Sequence, residues 1–391
     1  MTDDKKILVV FNSDFKLSEI NSGAALRNNM FLRALAEVGH VDVICFSEDN
    51  AVSNIPNSNV IYSKRYIDTK DFWEAVRSLI CMAVWPANPY SYYRYNKHKA
   101  AIVKGFLKNA AYDMIACRYV DTAVKYGLLN YKERLVIDLD DNLSAVRQSE
   151  ALQTSSKIKS WKKLYEAKRL KKMLRRICED VHCTFCSNLL ELPSPRTIYL
   201  HNTTLLGHSS TCIAEPLRPR ILFVGWLDYY PNKQGIKHFS EVIFPQIKSA
   251  IPIAELRIVG EGKRDLIDYL NGLDGVDAVG RVDNLAEEYN SAAVVVIPIY
   301  CGSGTSVKFV EALFMKRPVI STHVGARGYS DVCCDGKDCM LASADEEFAE
   351  KTIELLSSVT KAGEIANNGF EKAKTYFSQD KFIAIVKKAL Y

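Results

Sequence analysis

Two kinds of block alternate along the chain: short unbroken apolar runs, and longer stretches in which apolar residues recur every three or four positions. The first kind predicts buried strands of a parallel sheet, and the second predicts amphipathic helices. KKILVVFN, NSGAALRNNMFLRALAEVG and HVDVICFS open the chain as strand, helix and strand, a βαβ beginning. Runs near Val60, Ile115, Val136, Cys183 and Ile198 continue the same sheet. The pattern restarts after the polar segment 202–218, where PRILFVGW, AELRIVG, VDAVGRV, AAVVVIPI, RPVIST and DCMLA are the next strands. Helices such as RDLIDYLNGL and FVEALFM separate them, and closing helices are predicted over 345–356, 360–377 and 379–390. The expected fold is α/β, two mostly parallel doubly wound sheets with right-handed crossovers. A ligand cleft is expected between the carboxyl ends of the two sheets.

The most informative stretch is VVVIPIYCGSGTSVKFVEALFMKRPVI, from Val294 to Ile320. A strand ends at Pro298, Gly302 and Gly304 permit backbone angles that other residues resist, and Thr305 or Ser306 can cap a helix starting near Thr305. The start of such a helix presents backbone N–H groups that suit an anion. Lys308 lies in the first turn and Glu311 one turn further along the same face. Together they suit a phosphate beside a sugar hydroxyl pair. A glycine turn between strand and helix is also ordinary α/β punctuation, so the stretch alone does not decide the function.

Composition narrows the classes. With 391 residues, 48% hydrophobic and 25% charged, the chain has the balance of a soluble two-domain protein. The amino terminus, MTDDKKILVVFN, carries acids before its lysines and an apolar run too short for a signal peptide or a membrane span, so a cytoplasmic protein is expected. Eleven cysteines without a regular framework fit reduced, buried thiols. Cys183 and Cys186 form a single CxxC in a strand-like run with no second pair, and no metal site is expected.

Charge is uneven. Residues 1–200 hold 30 Lys and Arg against 22 Asp and Glu, a net of +8, and the remainder holds 21 against 24, a net of −3. Much of the excess lies in KIKSWKKLYEAKRLKKMLRRICED, 157–180, where Trp161, Leu164, Leu170, Met173, Leu174 and Ile177 are expected to form one apolar stripe. The plainer arrangement buries that stripe in the core with lysines in solvent. The sharper one sets 157–178 on an anionic membrane surface. No aromatic and glycine pattern of an RNA-binding module accompanies the charge, and no nucleic acid is expected.

The ordered set FVGWLDYYPNKQGIKHF, LRIVGEG, VGRVDNL, VIPIYCGSGTSVKFVEAL and RPVISTHVGARGY resembles the group 1 (family 4-like) glycosyltransferases, retaining enzymes of GT-B fold. NSGAALRNNMFLRALAEVGHVDVI, NPYSYYRY and VIDLDDN in the first half are similar to that family's amino-terminal segments. The resemblance implies an acceptor-side domain over 1–205, a donor domain over 206–375, and a terminal helix, 376–391, returning to the first. It implies a nucleoside diphosphate sugar as donor, no cofactor, and a glycan or lipid-linked acceptor of polysaccharide assembly. By the same resemblance Glu311 holds the donor ribose, Lys308 faces the diphosphate, and Gly225 lets the backbone approach the donor. Gly302, Ser303, Gly304 and Thr305 form the phosphate turn. Gly280, Arg281 and Val282 match the base-pocket segment, with a surface ion pair as the alternative for Arg281. Ser22 and Gly23 match the loop toward the donor phosphate and acceptor and also suit a plain helix cap. Asp138, Asp140 and Asp141 crowd one strand end, where adjacent carboxylates are hard to ionise fully. Asp140 or Asp141 is assigned to the transferred sugar or the acceptor hydroxyl, with capping of the next turn as the alternative. Aromatic residues of FWEAVRSLICMAVWPANPYSYYRY, with Trp73 and Trp85, are assigned to the acceptor side, the bilayer interface or ordinary core.

The pattern departs from that family at two places. Its two glutamates are separated by seven residues, and the first position falls on Ser303. An arginine that often precedes the lysine is Ser306. Two other classes therefore stay open: a nucleotide-sugar 2-epimerase, which needs the same donor contacts but no acceptor, and a degenerate binding or scaffold protein.

Overall fold

The structure is a computed structural model that describes the chain except residues 1–4, 13–21, 48–49, 51, 65–75, 77–94, 141–142, 153, 155, 189–193, 207–218 and 303. The chain divides into two compact units, Met1–His201 with Gln379–Tyr391, and Asn202–Ser378.

The first unit is built on a seven-stranded sheet: β1 (Lys5–Phe11), β2 (Gly39–Cys45), β3 (Ser58–Ser63), β4 (Met114–Arg118), β5 (Leu135–Asp140), β6 (Cys183–Cys186) and β7 (Thr197–Tyr199). Their spatial order is β3-β2-β1-β4-β5-β6-β7, and every neighbouring pair is parallel. The second unit has β8 (Arg220–Val224), β9 (Glu255–Val259), β10 (Val276–Gly280), β11 (Val294–Ile297), β12 (Val319–Thr322) and β13 (Met340–Ala342), ordered β10-β9-β8-β11-β12-β13 and again all parallel. All strands expected from the apolar runs are present. Each sheet is buried on both faces: Ile7, Leu8, Val9 and Val10 of β1 and Val294, Val295, Val296 and Ile297 of β11 have no exposed surface. In both sheets the strand order reverses next to the first strand, between β1 and β4 and between β8 and β11. Ligands of such sheets bind outside the carboxyl ends of the strands at that reversal.

The terminal helix Gln379–Leu390 belongs to the first unit and packs on the helix Gly23–Ala36. It buries Phe382, Val386 and Leu390, Lys387 pairs with Glu37 at 3.7 Å, and the Tyr391 hydroxyl donates to the Val38 carbonyl at 3.0 Å.

Asp138 is fully buried and gripped by cations. Arg27 donates to both of its oxygens, at 2.8 and 2.7 Å, and the Arg118 Nε lies 3.3 Å away. The pairing ties the helix Gly23–Ala36 to the ends of β4 and β5. The side chain of Asp140 and all of Asp141 lie outside the described residues. The helix Lys157–Asp180 differs from the single stripe expected of it. Its core face is Ala167, Leu170, Met173, Leu174, Ile177 and Cys178, whereas Trp161 and Leu164 are exposed. From Leu164 to Leu170 the helix turns by about 240°, so the supposed single stripe changes sides.

Cys183 and Cys186 lie in β6, buried, with thiols pushed up to about 12 by burial. Among the described residues every cysteine is a free thiol, Cys334 alone being exposed. No described helix is long and apolar enough to cross a membrane.

Candidate functional site

At the reversal in the second sheet, three neighbouring strands end in glycines. Gly225 follows β8, Gly260 follows β9 and Gly280 closes β10. The Gly225 N–H donates to the Val259 carbonyl at 2.9 Å, and the Gly260 N–H to the Gly280 carbonyl at 2.7 Å. A Cβ on Gly260 would stand 1.8 Å from the Gly225 carbonyl oxygen, so the backbones meet only because a side chain is missing. These strand ends form a floor of bare backbone.

On the other side of the reversal, β11 runs into the turn 298–306 and then the helix Val307–Phe314. Gly302 and Gly304 have φ of +114° and +80°, the left-handed angles expected of them. Three distant side chains fasten the turn. Arg327 donates to the Gly302 carbonyl at 2.8 Å, Asn202 donates to the Thr305 hydroxyl at 2.6 Å, and the Tyr329 hydroxyl donates to the Ser306 carbonyl at 3.0 Å. Tyr329 in turn stacks on Phe309, with centroids 4.7 Å apart. Ser306 is the N-cap residue, one position later than the start near Thr305, and its side chain makes no capping bond. The helix start is held without its own side chains covering it.

Two titratable groups project from that helix. The buried Lys308 Nζ lies 4.3 Å over the Phe223 ring and donates to Asn232 Oδ1 at 2.8 Å; Asn232 is fixed by its own bond to the Trp226 carbonyl at 2.9 Å. Burial lowers the lysine from 10.5 to about 7, against the opposing pull of the Glu311 carboxylate. Half-buried Glu311 accepts from the Tyr289 hydroxyl at 2.8 Å, and its pKa is raised because desolvation outweighs that bond and the nearby lysine. The site therefore holds one amine poised between charged and neutral, beside one carboxylate of fixed orientation.

Gly225 contributes through what it lacks. A Cβ there would lie 2.7 Å from Lys308 Nζ and 2.8 Å from Asn232 Nδ2, so in this structure the glycine makes room for the lysine head. Gly225→Ala is expected to lower the melting temperature, because the new methyl collides with the buried Lys308 head and with Asn232, which is held by its bond to the Trp226 carbonyl. Nucleotide affinity, measured by calorimetry, should fall about tenfold, the scale of one lost charged hydrogen bond.

The other sequence candidates take these places. Arg281 is exposed after β10 and makes no ion pair among the described residues, and Val282 is half-buried against the core. Ser303 lies outside the described residues. In the first unit, Gly23 opens its helix, and the Ser22 hydroxyl at the N-cap accepts from the Ala25 N–H at 3.2 Å. Residues 13–21 and almost all of the aromatic segment 72–95, including Trp73 and Trp85, lie outside the described residues. Sequence reasoning missed Gly260, Asn232, Tyr289 and Arg327. Of these only Gly260 carried a signal, as a glycine directly after a predicted strand.

Residues 218–358 match the family described as Glycosyl transferases group 1. An uncharacterized 44.6 kDa protein in the cps region of Klebsiella pneumoniae is 24% identical over 177 residues, which is 43% of this chain and 45% of that protein. The sucrose-phosphate synthase of Thermosynechococcus elongatus superposes with a TM-score of 0.68 at 17% identity, covering 97% of each chain. HepE of Anabaena, in a crystal structure with UDP-glucose, superposes with a TM-score of 0.67 at 14% identity, covering 99% of each. At these identities the likeness shows the fold, two Rossmann-like parallel-sheet domains of GT-B type. Together, the matched segment and the fold support a glycosyltransferase.

Proposed function

We propose that the chain transfers a sugar from a nucleoside diphosphate sugar to a glycan or lipid-linked acceptor in cell-surface polysaccharide assembly, on the cytoplasmic side. The observation that carries this is the Lys308–Glu311 pair on one helix start, at the reversal of the second sheet and beside its glycine floor. In this reading Glu311 accepts hydrogen bonds from the two ribose hydroxyls, oriented by Tyr289. Gly302, Ser303, Gly304 and Thr305 offer backbone N–H groups to the diphosphate, and Arg281 and Val282 border the base. Lys308 offsets the charge that develops on the diphosphate as the bond from the anomeric carbon breaks, which gives the protein its own cation there in place of a metal. The acceptor oxygen forms the new bond on the face the diphosphate leaves, with retention. Asp140 or Asp141 is assigned to the transferred sugar or the acceptor hydroxyl, and Gly23 to the donor phosphate. HepE's complex with UDP-glucose and the cps-region relative support the donor class and the pathway type.

A thermal-shift screen with UDP, GDP, ADP and CMP sugars tests the donor. One nucleotide class should raise the melting temperature of the parent, and Glu311→Ala should weaken its binding by about 10–100-fold. Isomerisation of a bound sugar with no acceptor present would identify a 2-epimerase instead. Absence of binding by every nucleotide would leave the binding or scaffold class.

A further inference from the structure

The helix Lys157–Asp180 has two apolar faces, and only one belongs to the core. Opposite Leu170, Met173, Leu174 and Ile177, its first turns expose Ile158 (81%), Trp161 (68%), Leu164 (44%) and Tyr165 (48%). The Trp161 and Tyr165 rings stack with centroids 5.9 Å apart and planes 12° from parallel, and the Arg169 guanidinium sits 5.4 Å from the Tyr165 centroid. Single exposed apolar residues are ordinary on a protein surface. Four of them clustered on two turns of one helix, two stacked, form a patch that water solvates poorly.

The charge around the patch has one sign. Lys157, Lys159, Lys162, Lys168, Lys171 and Lys172 are all exposed, and Glu166 is the only acid between 157 and 178. Nearby Glu150 is already committed to Arg147 at 2.8 Å and Lys163 at 3.2 Å. A second copy of this chain is a poor occupant, because a two-fold contact would set the same cationic patch against itself. Nucleic acid would answer the lysines but not Ile158 and Leu164.

We propose that this face docks the protein on an anionic lipid bilayer. Ile158, Trp161, Leu164 and Tyr165 enter the boundary between headgroups and acyl chains, where amphipathic rings are favoured. The lysines extend along the same face to the lipid phosphates, each strengthening partition by about fivefold. This goes beyond the donor-site reading and does not rest on it, since a chain unable to bind nucleotides would still bind the membrane. It also commits the sequence-based choice about 157–178 to specific side chains.

The test is flotation of the full chain with vesicles of phosphatidylcholine, with and without phosphatidylglycerol, at low and high salt. Binding should require phosphatidylglycerol, fall with salt, and shift tryptophan emission to the blue, a shift lost in Trp161→Phe. Combined Lys162→Gln, Lys168→Gln, Lys171→Gln and Lys172→Gln should reduce partition by about a hundredfold or more. Trp161→Ser with Tyr165→Ser should reduce it about tenfold. Melting temperature and nucleotide binding should be unchanged in both sets, since the altered residues are exposed and lie in the other unit from the donor residues. The proposal is overturned by absence of binding to anionic vesicles, by equal binding to neutral ones, or by variants that bind like the parent. A patch-dependent dimer without vesicle binding would assign the face to a second copy, and a preference for RNA over vesicles would assign it to nucleic acid.

Discussion

Lys308→Ala should slow sugar transfer by about 10²–10³-fold while the protein stays folded, the loss seen when one preorganised donor to a developing charge is removed. The lysine is buried over Phe223 and bonded to Asn232, and no other described cation shares its position on the helix start. Its lowered pKa of about 7 gives the prediction a pH dependence with a definite sign. Below that value the free enzyme already carries the cation; above it, the amine is neutral until an anionic diphosphate arrives. Binding above about pH 7 should therefore take up a proton, and affinity should rise as the pH falls toward 7. Calorimetry in buffers of different ionisation enthalpy measures the uptake directly. In Lys308→Met the uptake should vanish, and an unchanged uptake would remove Lys308 from the diphosphate. Stability of the unliganded protein follows the same group. Its folded pKa lies below its ordinary 10.5, so its contribution is most favourable above that value and is lost as the pH falls through about 7.

Asp138→Ala should be among the most destabilising single changes in the first unit, by about 3–5 kcal/mol. The cause is not the loss of an acid but the orphaning of two cations. Arg27 is 3% exposed and Arg118 2% exposed, and both would face the core with their shared carboxylate gone. Arg27 keeps its bond to the Leu200 carbonyl at 3.1 Å, and Arg118 its bond to Asn28 Oδ1 at 2.6 Å, so the structure is strained rather than empty at that point. Asp138→Asn, which retains an acceptor, should recover part of the loss. Chemical denaturation checks both variants, and nucleotide binding by the second unit should survive in the mutant at temperatures where it remains folded. A neutral Asp138→Ala would show that the guanidinium pair is solvated by relaxation of the strand ends.

The strands were legible because a parallel sheet buried on both faces demands unbroken apolar runs, and β1 and β11 are such runs in the primary sequence. The turn of Gly302 and Gly304 with Lys308 and Glu311 was legible for a similar reason: glycine angles and helix spacing are local properties. What was not legible arrives from elsewhere in the chain. Asn232 reaches Lys308 from 76 positions away, Arg27 reaches Asp138 across 111, and Tyr289 reaches Glu311 across 22. None of these partners stands in a pattern of its own. The helix Lys157–Asp180 departs from a single stripe for another reason. Its apolar residues do not share one angle about the axis, so Trp161 and Leu164 fall on the side away from the core.

The helix Gln379–Leu390 gives the chain an order of assembly. Sheet strands β1 to β7 are made first, yet the helix Gln379–Leu390 that packs on Gly23–Ala36 is made only after all of Asn202–Ser378. During synthesis the face of Gly23–Ala36 that this helix covers is therefore made well before its cover. Its native packing is thus closed only after the second unit has been made, so a change in Gln379–Leu390 reaches back to residues made far earlier.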